Sequence, residues 1–366
     1  MNIELYSVKG FTGSALKQKL EDELSSHHMP YTIVEINHVD QFIKAGLASV
    51  PAFKIGSKVI QHPHDGNPDE TVQKVMDYIK SEKVNSILVP VDFTEESSHA
   101  IDFARMMASH FGFGLTLAHV YQTLYDPVSA GAIDVQFLQD TNKRLLKLVD
   151  TINSENEKLG ISVPVMAHLE IGVASSSLIE LLDHGQFELL IMATKAIDNP
   201  VRRIFGTISS EVSRHSKKPV LVIPPHTEIK FPGKMVVGFT EELMLEGTLE
   251  YILAFGAKNN VFYDFVHITS DAAQFTLLKN KLYERLVMNR EMLCGFNIRS
   301  VAEQDHQIHD VLFEYAQEVR AGMVILVTHH RSFMESLSHT SVTKKALQHP
   351  PLPLMIIHHS KGEGHV

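Results

Sequence analysis

The sequence predicts an α/β protein in which two similar domains, each built on an open parallel sheet, follow a smaller α/β domain. Two observations lead to this prediction: short apolar runs alternate with stretches of helical periodicity, and one series of them occurs twice. Strands that alternate with helices of such lengths form βαβ units with parallel strands and right-handed crossovers. The expected domains comprise residues 1–82, 83–228 and 229–366.

Residues 1–82 have the pattern of a small α/β domain of their own. Apolar and polar residues alternate in its short strand-like runs, and apolar residues recur at helical spacing in two longer stretches. The predicted elements are strands at 2–8 and 31–36, helices at 14–27 and 69–80, and a loop entering a hairpin at 48–60.

The segment around Pro51 resembles the cis-proline loop of thioredoxin and glutaredoxin-like domains, since Val50-Pro-Ala-Phe53 leads towards a turn that contains glycine. In that family a Cys-x-x-Cys motif follows the first strand, whereas residues 9–14 here contain no cysteine. Dithiol exchange needs a thiolate and a resolving thiol, which serine and threonine cannot replace. The resemblance therefore implies a thioredoxin-like fold without redox cysteines, and an ordinary turn proline is the alternative.

The first repeat, residues 83–228, opens with a nearly continuous apolar run, which suits a parallel strand buried on both faces. Thr94 is placed to cap the helix that follows, and Glu95 and Glu96 favour the dipole of its first turn. Further strands are predicted at 115–120, 163–170, 188–193 and 220–223, with helices at about 134–158, at 174–184 and after Gly206.

The second repeat, residues 229–366, keeps the opening and the closing of the first. An apolar strand runs into Phe-Thr-Glu-Glu at both 93–96 and 239–242. The closing landmarks keep identical internal spacing, and they are Gly206-Thr-Ile, His215 and Pro219 in the first repeat and Thr340-Ser-Val, His349 and Pro353 in the second.

Composition argues against several classes of function. The net charge of −10 repels a phosphate backbone and no run of Lys or Arg offsets it, so nucleic-acid binding is not expected. No apolar stretch is long enough to span a bilayer and no leader pattern is present, so we expect a cytoplasmic protein without a membrane segment. Cys294 is the single cysteine, which rules out an intramolecular disulfide, and no metal site is expected from the histidine spacing.

Candidate ligand-binding residues in an open parallel sheet lie just beyond the carboxyl ends of the strands. A small residue there lets backbone N–H groups approach phosphate oxygens, and a helix N-terminus adds free amide donors. The hydroxyl groups of Thr207 and Ser209 would donate hydrogen bonds to the same phosphate oxygens. Asp92 can accept hydrogen bonds from a ribose or an adenine but would repel a phosphate.

The two repeats resemble tandem universal stress protein domains over roughly residues 83–358. Members that bind ATP carry a glycine, two residues, a second glycine, nine residues, and a glycine with Ser or Thr; Ala193, Ala196 and Gly206-Thr207 keep that spacing. The resemblance implies an adenine-nucleotide alpha hydrolase-like, Rossmann-like fold. The implied nucleotide-binding residues are Pro90, Val91, Asp92, Val120, Met192, Ala193, Ala196, Gly206, Thr207, Ile208 and Ser209.

The second repeat lacks every glycine of this motif and the aspartate. Gly238 stands for the aspartate, Val327 and His330 for the two small residues, and Thr340-Ser341 for the last glycine and hydroxyl. A branched valine and an imidazole would occupy the volume that a phosphate chain requires. We therefore expect ATP or AMP in the first repeat only.

Three functions are consistent with these patterns. The first is a non-catalytic universal stress protein with a regulatory role in the stress response and one adenine-nucleotide site. The second is an interaction or scaffold protein that needs no nucleotide and binds an unknown protein partner. The third is a nucleotide hydrolase, for which the loop after the fourth strand offers only Asp198. The last strands of the two repeats are expected to pair within the chain, and assembly into a homo-oligomer stays open.

Overall fold

The protein has an α/β fold with parallel-rich sheets. Its described residues form two compact units, of which the first comprises Met1–Leu88, Ala108–Ile171 and His184–Phe187 and the second comprises Val89–Met107, Gly172–Asp183 and Glu188–Val366. The computed structural model describes residues 2–8, 11–26, 32–45, 47, 49–55, 58–64, 66–81, 85–122, 135–185, 187–194, 207–245, 247–292, 294–302, 308–328 and 350–358.

Within these residues the chain forms fourteen strands and ten α-helices. The strands are β1 (Asn2–Tyr6), β2 (Thr32–Ile36), β3 (Ala52–Ile55), β4 (Lys58–Gln61), β5 (Ser86–Pro90), β6 (Gly114–Tyr121), β7 (Val165–Ile171), β8 (Phe187–Ala193), β9 (Val220–Ile223), β10 (Lys234–Gly238), β11 (Phe262–Ile268), β12 (Gly295–Val301), β13 (Met323–Thr328) and β14 (Leu354–His358). The helices are α1 (Phe11–Ser26), α2 (Val39–Lys44), α3 (Pro68–Ser81), α4 (Glu95–Phe111), α5 (Val135–Leu159), α6 (Ala174–His184), α7 (Thr207–His215), α8 (Thr248–Ala257), α9 (Ala272–Met288) and α10 (Ile308–Glu318).

The first unit begins with a four-stranded sheet of order β2-β1-β3-β4. Strand β1 runs parallel to β2 and antiparallel to β3, and β3 is antiparallel to β4. Because side chains alternate along a strand, Ile3 and Leu5 are fully buried while Glu4 between them is partly exposed. The Val50–Pro51 peptide bond is cis. These strands share one apolar core with α1 and α3, formed by Ile3, Leu5, Leu16, Leu20, Leu24, Phe53, Ile55, Ile60, Val72, Val75, Met76 and Ile79.

The rest of the first unit contains β6 and β7, which pair in parallel with Leu115 opposite Val165. Helix α5 buries residues at helical spacing, from Thr141 and Leu145 to Ile152. The side-chain amide of Asn153 on the same helix donates to the Val165 carbonyl at 2.9 Å and accepts from the Val165 N–H at 3.1 Å. Asn153 therefore occupies backbone groups of β7 that an incoming strand would otherwise pair with.

In the second unit the strands follow one another in the order β12-β11-β10-β13-β14-β9-β8. Neighbouring strands in this series are parallel, with one exception. The exception is the pair β14 and β9, the last strands of the two repeats, which run antiparallel with Leu354 opposite Val222. Helix α10 packs on an apolar cluster of this series, formed by Val236, Val266, Leu312, Phe313, Ala316, Ala321, Val324, Leu326, Leu354 and Ile356.

Most sequence-predicted elements agree with the structure to within a few residues. The strand predicted at 115–120 is β6, and the helix predicted at 174–184 is α6. The two Phe-Thr-Glu-Glu segments differ, since the first leads into α4 and the second into a short 3₁₀ helix at Glu241–Met244. Among the described residues, no helix is both long and apolar enough to cross a membrane.

Candidate functional site

The turn after β5 positions the predicted nucleoside contact, Asp92. This carboxylate is exposed, and its Oδ1 accepts hydrogen bonds from the Thr94 N–H at 3.2 Å and the Thr94 hydroxyl at 2.5 Å. The Thr94 Oγ1 in turn accepts from the Ser97 N–H at 3.3 Å, so the predicted helix cap of α4 is confirmed. The turn thus holds one oxygen of Asp92 in a defined place at the carboxyl end of β5.

The residue between Asp92 and Thr94 has an unusual backbone. Phe93 has a φ of 62°, in the left-handed region that side chains other than glycine rarely adopt. Such a conformation costs on the order of 1 kcal/mol and persists where the surrounding structure enforces it. Of the two residues before Asp92, Pro90 ends β5 and Val91 is buried.

The other predicted phosphate-side residues follow β8. Met192 is buried and Ala193 is half-buried at the last position of the strand, where it lies opposite Ile223 of β9. Thr194 closes this end, because its N–H donates to the Ile223 carbonyl at 3.0 Å. Ala193 therefore stands where β8 stops, as the spacing of the motif predicts.

Helix α7 begins at Thr207, as expected for the last part of the motif. Ile208 is half-buried, and Ser209 in the same first turn is buried. Ala196 and Gly206 lie outside the described residues, as do Asp198 and the loop that contains them. The contribution of that loop to the site stays a prediction.

Val120, the predicted adenine-pocket residue, belongs to the first unit and lies near the carboxyl end of β6. It is half-buried and stands opposite Glu170 of β7. Sequence reasoning missed Glu170 and its neighbour His168, whose Nε2 lies 3.0 Å from the Glu170 Oε2. The signal that could have found them is their spacing, because residues two apart in a strand share one face.

The second repeat differs at the end of its first strand. A backbone hydrogen bond from Phe262 to Gly233 matches the bond from Gly114 to Asn85 in the first repeat, so β10 and β5 correspond residue by residue. Pro90 then corresponds to Gly238, and Val91-Asp92 are two residues that the second repeat lacks before its Phe-Thr-Glu-Glu. The carboxylate is therefore lost by shortening of the turn, whereas the sequence pattern alone indicates a substitution by Gly238.

The space beyond β10 is filled with apolar side chains. A Cβ added to Gly238 would lie 2.8 Å from the Leu312 Cδ2 and 3.0 Å from the Leu326 Cδ2. Nearby, buried His267 donates from Nδ1 to the Phe239 carbonyl at 2.7 Å, and its ring stacks on Phe275. This end of the second repeat is packed as core. His330, Thr340 and Ser341 lie outside the described residues, and Val327 is buried.

The described part of the chain contains no group of three His, Cys, Asp or Glu side chains placed to hold a metal ion. The histidines of β7 and β11 make other contacts, since His168 meets Glu170 and His267 meets a backbone carbonyl.

One known family matches part of the chain. Residues 83–224, less than half of the protein, match the Universal stress protein family. This segment runs from just before β5 to just after β9 and falls within the range predicted for the first repeat. The match supports a UspA-like family for the segment that carries Asp92, Val120 and Ala193.

One of the similar solved structures shares the fold with a TM-score above 0.5. A universal stress protein from Archaeoglobus fulgidus DSM 4304 is 14% identical, with a TM-score of 0.59 over 76% of this chain and 98% of that chain. A putative universal stress protein from Pseudomonas aeruginosa UCBPP-PA14 is 13% identical, with a TM-score of 0.49 over 75% and 93%. A universal stress protein in complex with cAMP is 20% identical, with a TM-score of 0.31 over 38% and 96%. No curated protein sequence matches the chain.

Proposed function

We propose that this protein is a tandem universal stress protein with a regulatory role in the cytoplasmic stress response, and that its first repeat binds ATP or AMP. Residues 83–228 and 229–366 would be the two stress protein domains, and residues 1–82 a thioredoxin-like domain without redox cysteines. The family match over residues 83–224 supports the first of these assignments. The sheet order β2-β1-β3-β4 and the cis Val50–Pro51 bond are consistent with the last.

One observation carries the nucleotide proposal: the turn after β5 is elaborate in the first repeat and shortened in the second. The first repeat has two additional residues, a left-handed Phe93 and an exposed carboxylate held by Thr94. A strained backbone at the carboxyl end of a parallel strand supports a functional role for the turn. In the second repeat the same end of the sheet is filled by Leu312 and Leu326.

The chemistry of the first repeat suits the two ends of a nucleotide. The Asp92 carboxylate can accept hydrogen bonds from ribose hydroxyls or an adenine amino group. Ala193 at the end of β8 is small, and the free backbone N–H groups at the start of α7 attract anions. Asp92 would therefore receive the nucleoside, and the phosphates would lie towards Ala193 and Thr207.

Isothermal titration of the full chain with ATP and with AMP tests the proposal. Saturable heat is expected for the unmodified protein and a reduced affinity for Asp92→Ala. Asp150→Ala is the matched control, since it removes an exposed carboxylate from the middle of α5. Gly206→Val should also abolish binding, because a branched side chain would block the close approach of a phosphate. Absence of heat for the unmodified protein would refute nucleotide binding.

A nucleotide-independent interaction protein is the second candidate. A specific observation favours it: α9 exposes the large apolar side chains Leu277, Tyr283, Val287 and Met288 while Leu278, Leu282 and Leu286 face the core. Apolar groups exposed in this way are typical of contact surfaces for other proteins. Nucleotide that co-purifies with the protein would count against this candidate.

A further inference from the structure

Helix α9 carries an exposed stripe of residues that is separate from its buried leucine face. Successive residues of an α-helix are rotated by about 100°, so residues spaced by four, three and four positions lie on one face. The exposed residues with this spacing are Leu277, Lys281, Glu284 and Met288. The stripe is about 16 Å long, since each residue adds about 1.5 Å to a helix.

The two ends of this stripe are apolar. Leu277 at one end is 55% exposed and Met288 at the other is 83% exposed. Val287, next to Met288, is exposed as well. Burial of these side chains against another apolar surface would remove them from water, which is the main favourable contribution to most protein association.

The two central residues of the stripe carry opposite charges. Lys281 and Glu284 are exposed, and neither forms an ion pair with another residue of the described part of the chain. Arg285, by contrast, is engaged with Glu250 of α8. The stripe therefore reads apolar, positive, negative, apolar along the helix. This order is complementary to the same order read in the opposite direction.

We infer that the stripe binds the same stripe of a second copy of the chain, with the two α9 helices antiparallel. A two-fold axis then passes between Lys281 and Glu284, and every contact occurs twice. Leu277 meets Met288 of the partner subunit, and Lys281 meets Glu284 of the partner subunit. A parallel pair would instead place each charge against a like charge, which is costly across an interface.

This inference is independent of nucleotide binding, and it names a partner for the exposed apolar surface of α9. A contact between single helices is smaller than the standard interface of about 1,600 Å², so we expect a reversible dimer with a micromolar dissociation constant. Sedimentation velocity of the full chain across the micromolar range measures it.

Charge reversal tests the antiparallel register. Lys281→Glu and Glu284→Lys each convert two attractive pairs into two repulsive ones, so each variant alone should associate at least roughly tenfold more weakly. An equimolar mixture of the two variants should associate again, because every charged contact of the mixed dimer then joins opposite charges. A change within one helix cannot produce this recovery.

The mixed dimer can be detected directly. Cys294 is exposed and is the single cysteine, so it can carry a donor fluorophore in one variant and an acceptor in the other. Energy transfer is expected in the mixture of Lys281→Glu with Glu284→Lys. Little transfer is expected when donor and acceptor are both on Lys281→Glu.

Two further variants separate the stripe from the rest of the helix. Leu277→Gln removes two apolar contacts from each dimer and should weaken association about tenfold. Lys279→Glu, which reverses an exposed charge of the same helix outside the stripe, should leave association unchanged. The thermal midpoint of each dilute variant should stay close to that of the unmodified protein, because the substituted residues are exposed.

Several results would overturn the inference. One is a chain that stays monomeric across the micromolar range. Another is a dimer that persists unchanged in Leu277→Gln and in both charge reversals, because its contact would then lie elsewhere. A mixture of the two reversals without energy transfer would overturn the antiparallel register. None of these results bears on the nucleotide site, which titration with ATP and AMP tests separately.

Discussion

At the start of their first two strands, the two repeats hold different pairs of side chains at corresponding positions. In the first repeat, Ser86 and Thr116 are buried and their hydroxyl oxygens lie 3.3 Å apart. In the second, Lys234 and Asp264 take these places, with Nζ 3.1 Å from Oδ2. Asp264 is 1% exposed and also accepts from Asn297, whereas Lys234 is 31% exposed. The same frame therefore accepts a neutral pair and a charged pair.

The opposite ends of the strands differ as well. The first repeat has an exposed, hydrogen-bonded Asp92 in its turn, and the second has Gly238 packed beneath Leu312 and Leu326. These two carboxylates therefore lie at opposite ends of the strands. Asp92 is exposed at the carboxyl end of β5, and Asp264 is buried near the start of β11. Burial together with the Asp264 charge raises the pKa of Tyr315, which packs near that end. Among the described residues, the first repeat thus presents a polar side chain at this turn, whereas the second places apolar side chains there.

The largest expected effect concerns the buried charge. Asp264→Ala leaves the Lys234 ammonium and the Asn297 amide without their acceptor, and should lower the free energy of unfolding by about 3 kcal/mol. The double variant Lys234→Ser with Asp264→Thr, which introduces the pair of the first repeat, should recover most of that loss. Urea unfolding of the full chain measures both. Thr116→Val, the matched change in the first repeat, should cost about 1 kcal/mol. A double variant no more stable than Asp264→Ala would contradict the equivalence of the two pairs.

The packed end of the second repeat can be tested by returning a carboxylate to it. Gly238→Asp should destabilise the protein by about 2 kcal/mol, because the added side chain meets Leu312 and Leu326 and has no polar partner there. It should not create a second nucleotide site. Gly233→Asp is the control, since nothing lies within 4 Å of an added Cβ at this exposed position. Unfolding midpoints and titration with ATP check the two expectations, and two binding sites in Gly238→Asp would disprove the second.

The smallest effect separates the two Phe-Thr-Glu-Glu segments. Thr94→Ala removes the cap of α4 and should cost about 1 kcal/mol, as measured by thermal unfolding. Thr240→Ala is the matched change, and it should cost only a few tenths of a kcal/mol, because its described contact is through the backbone carbonyl to Leu243. Equal losses would show that the two threonines have the same role after all.

Local chemistry made much of this architecture predictable. The strands β5 and β6 are apolar runs bounded by polar residues, and Thr94 followed by two glutamates indicates a helix start, which the structure confirms. Because ligands of open parallel sheets bind at the carboxyl ends of the strands, the sequence then indicated Asp92 and Ala193. Their place at strand ends agrees with the prediction. Their role in binding stays a prediction, and so does the contribution of Ala196 and Gly206, which lie outside the described residues.

Other features depended on contacts between distant residues. Identical Phe-Thr-Glu-Glu segments lead into an α-helix in one repeat and into a 3₁₀ helix in the other. The reason is the distance from the preceding strand, because two residues separate the segment from β5, whereas it follows β10 directly. The partnership of Glu170 with Val120 comes from strand register, which links residues 50 positions apart in the chain.

The sequence by itself determined the α/β class and the polar turn after β5, since these depend on apolar periodicity and on the preferences of neighbouring residues. Only the tertiary structure decided that Leu312 and Leu326 fill the end of β10, that Asp264 is buried beside Lys234, and that Glu170 stands next to Val120. The physical reason is that volume, burial and register are properties of side chains brought together from separate elements, and no local pattern records them.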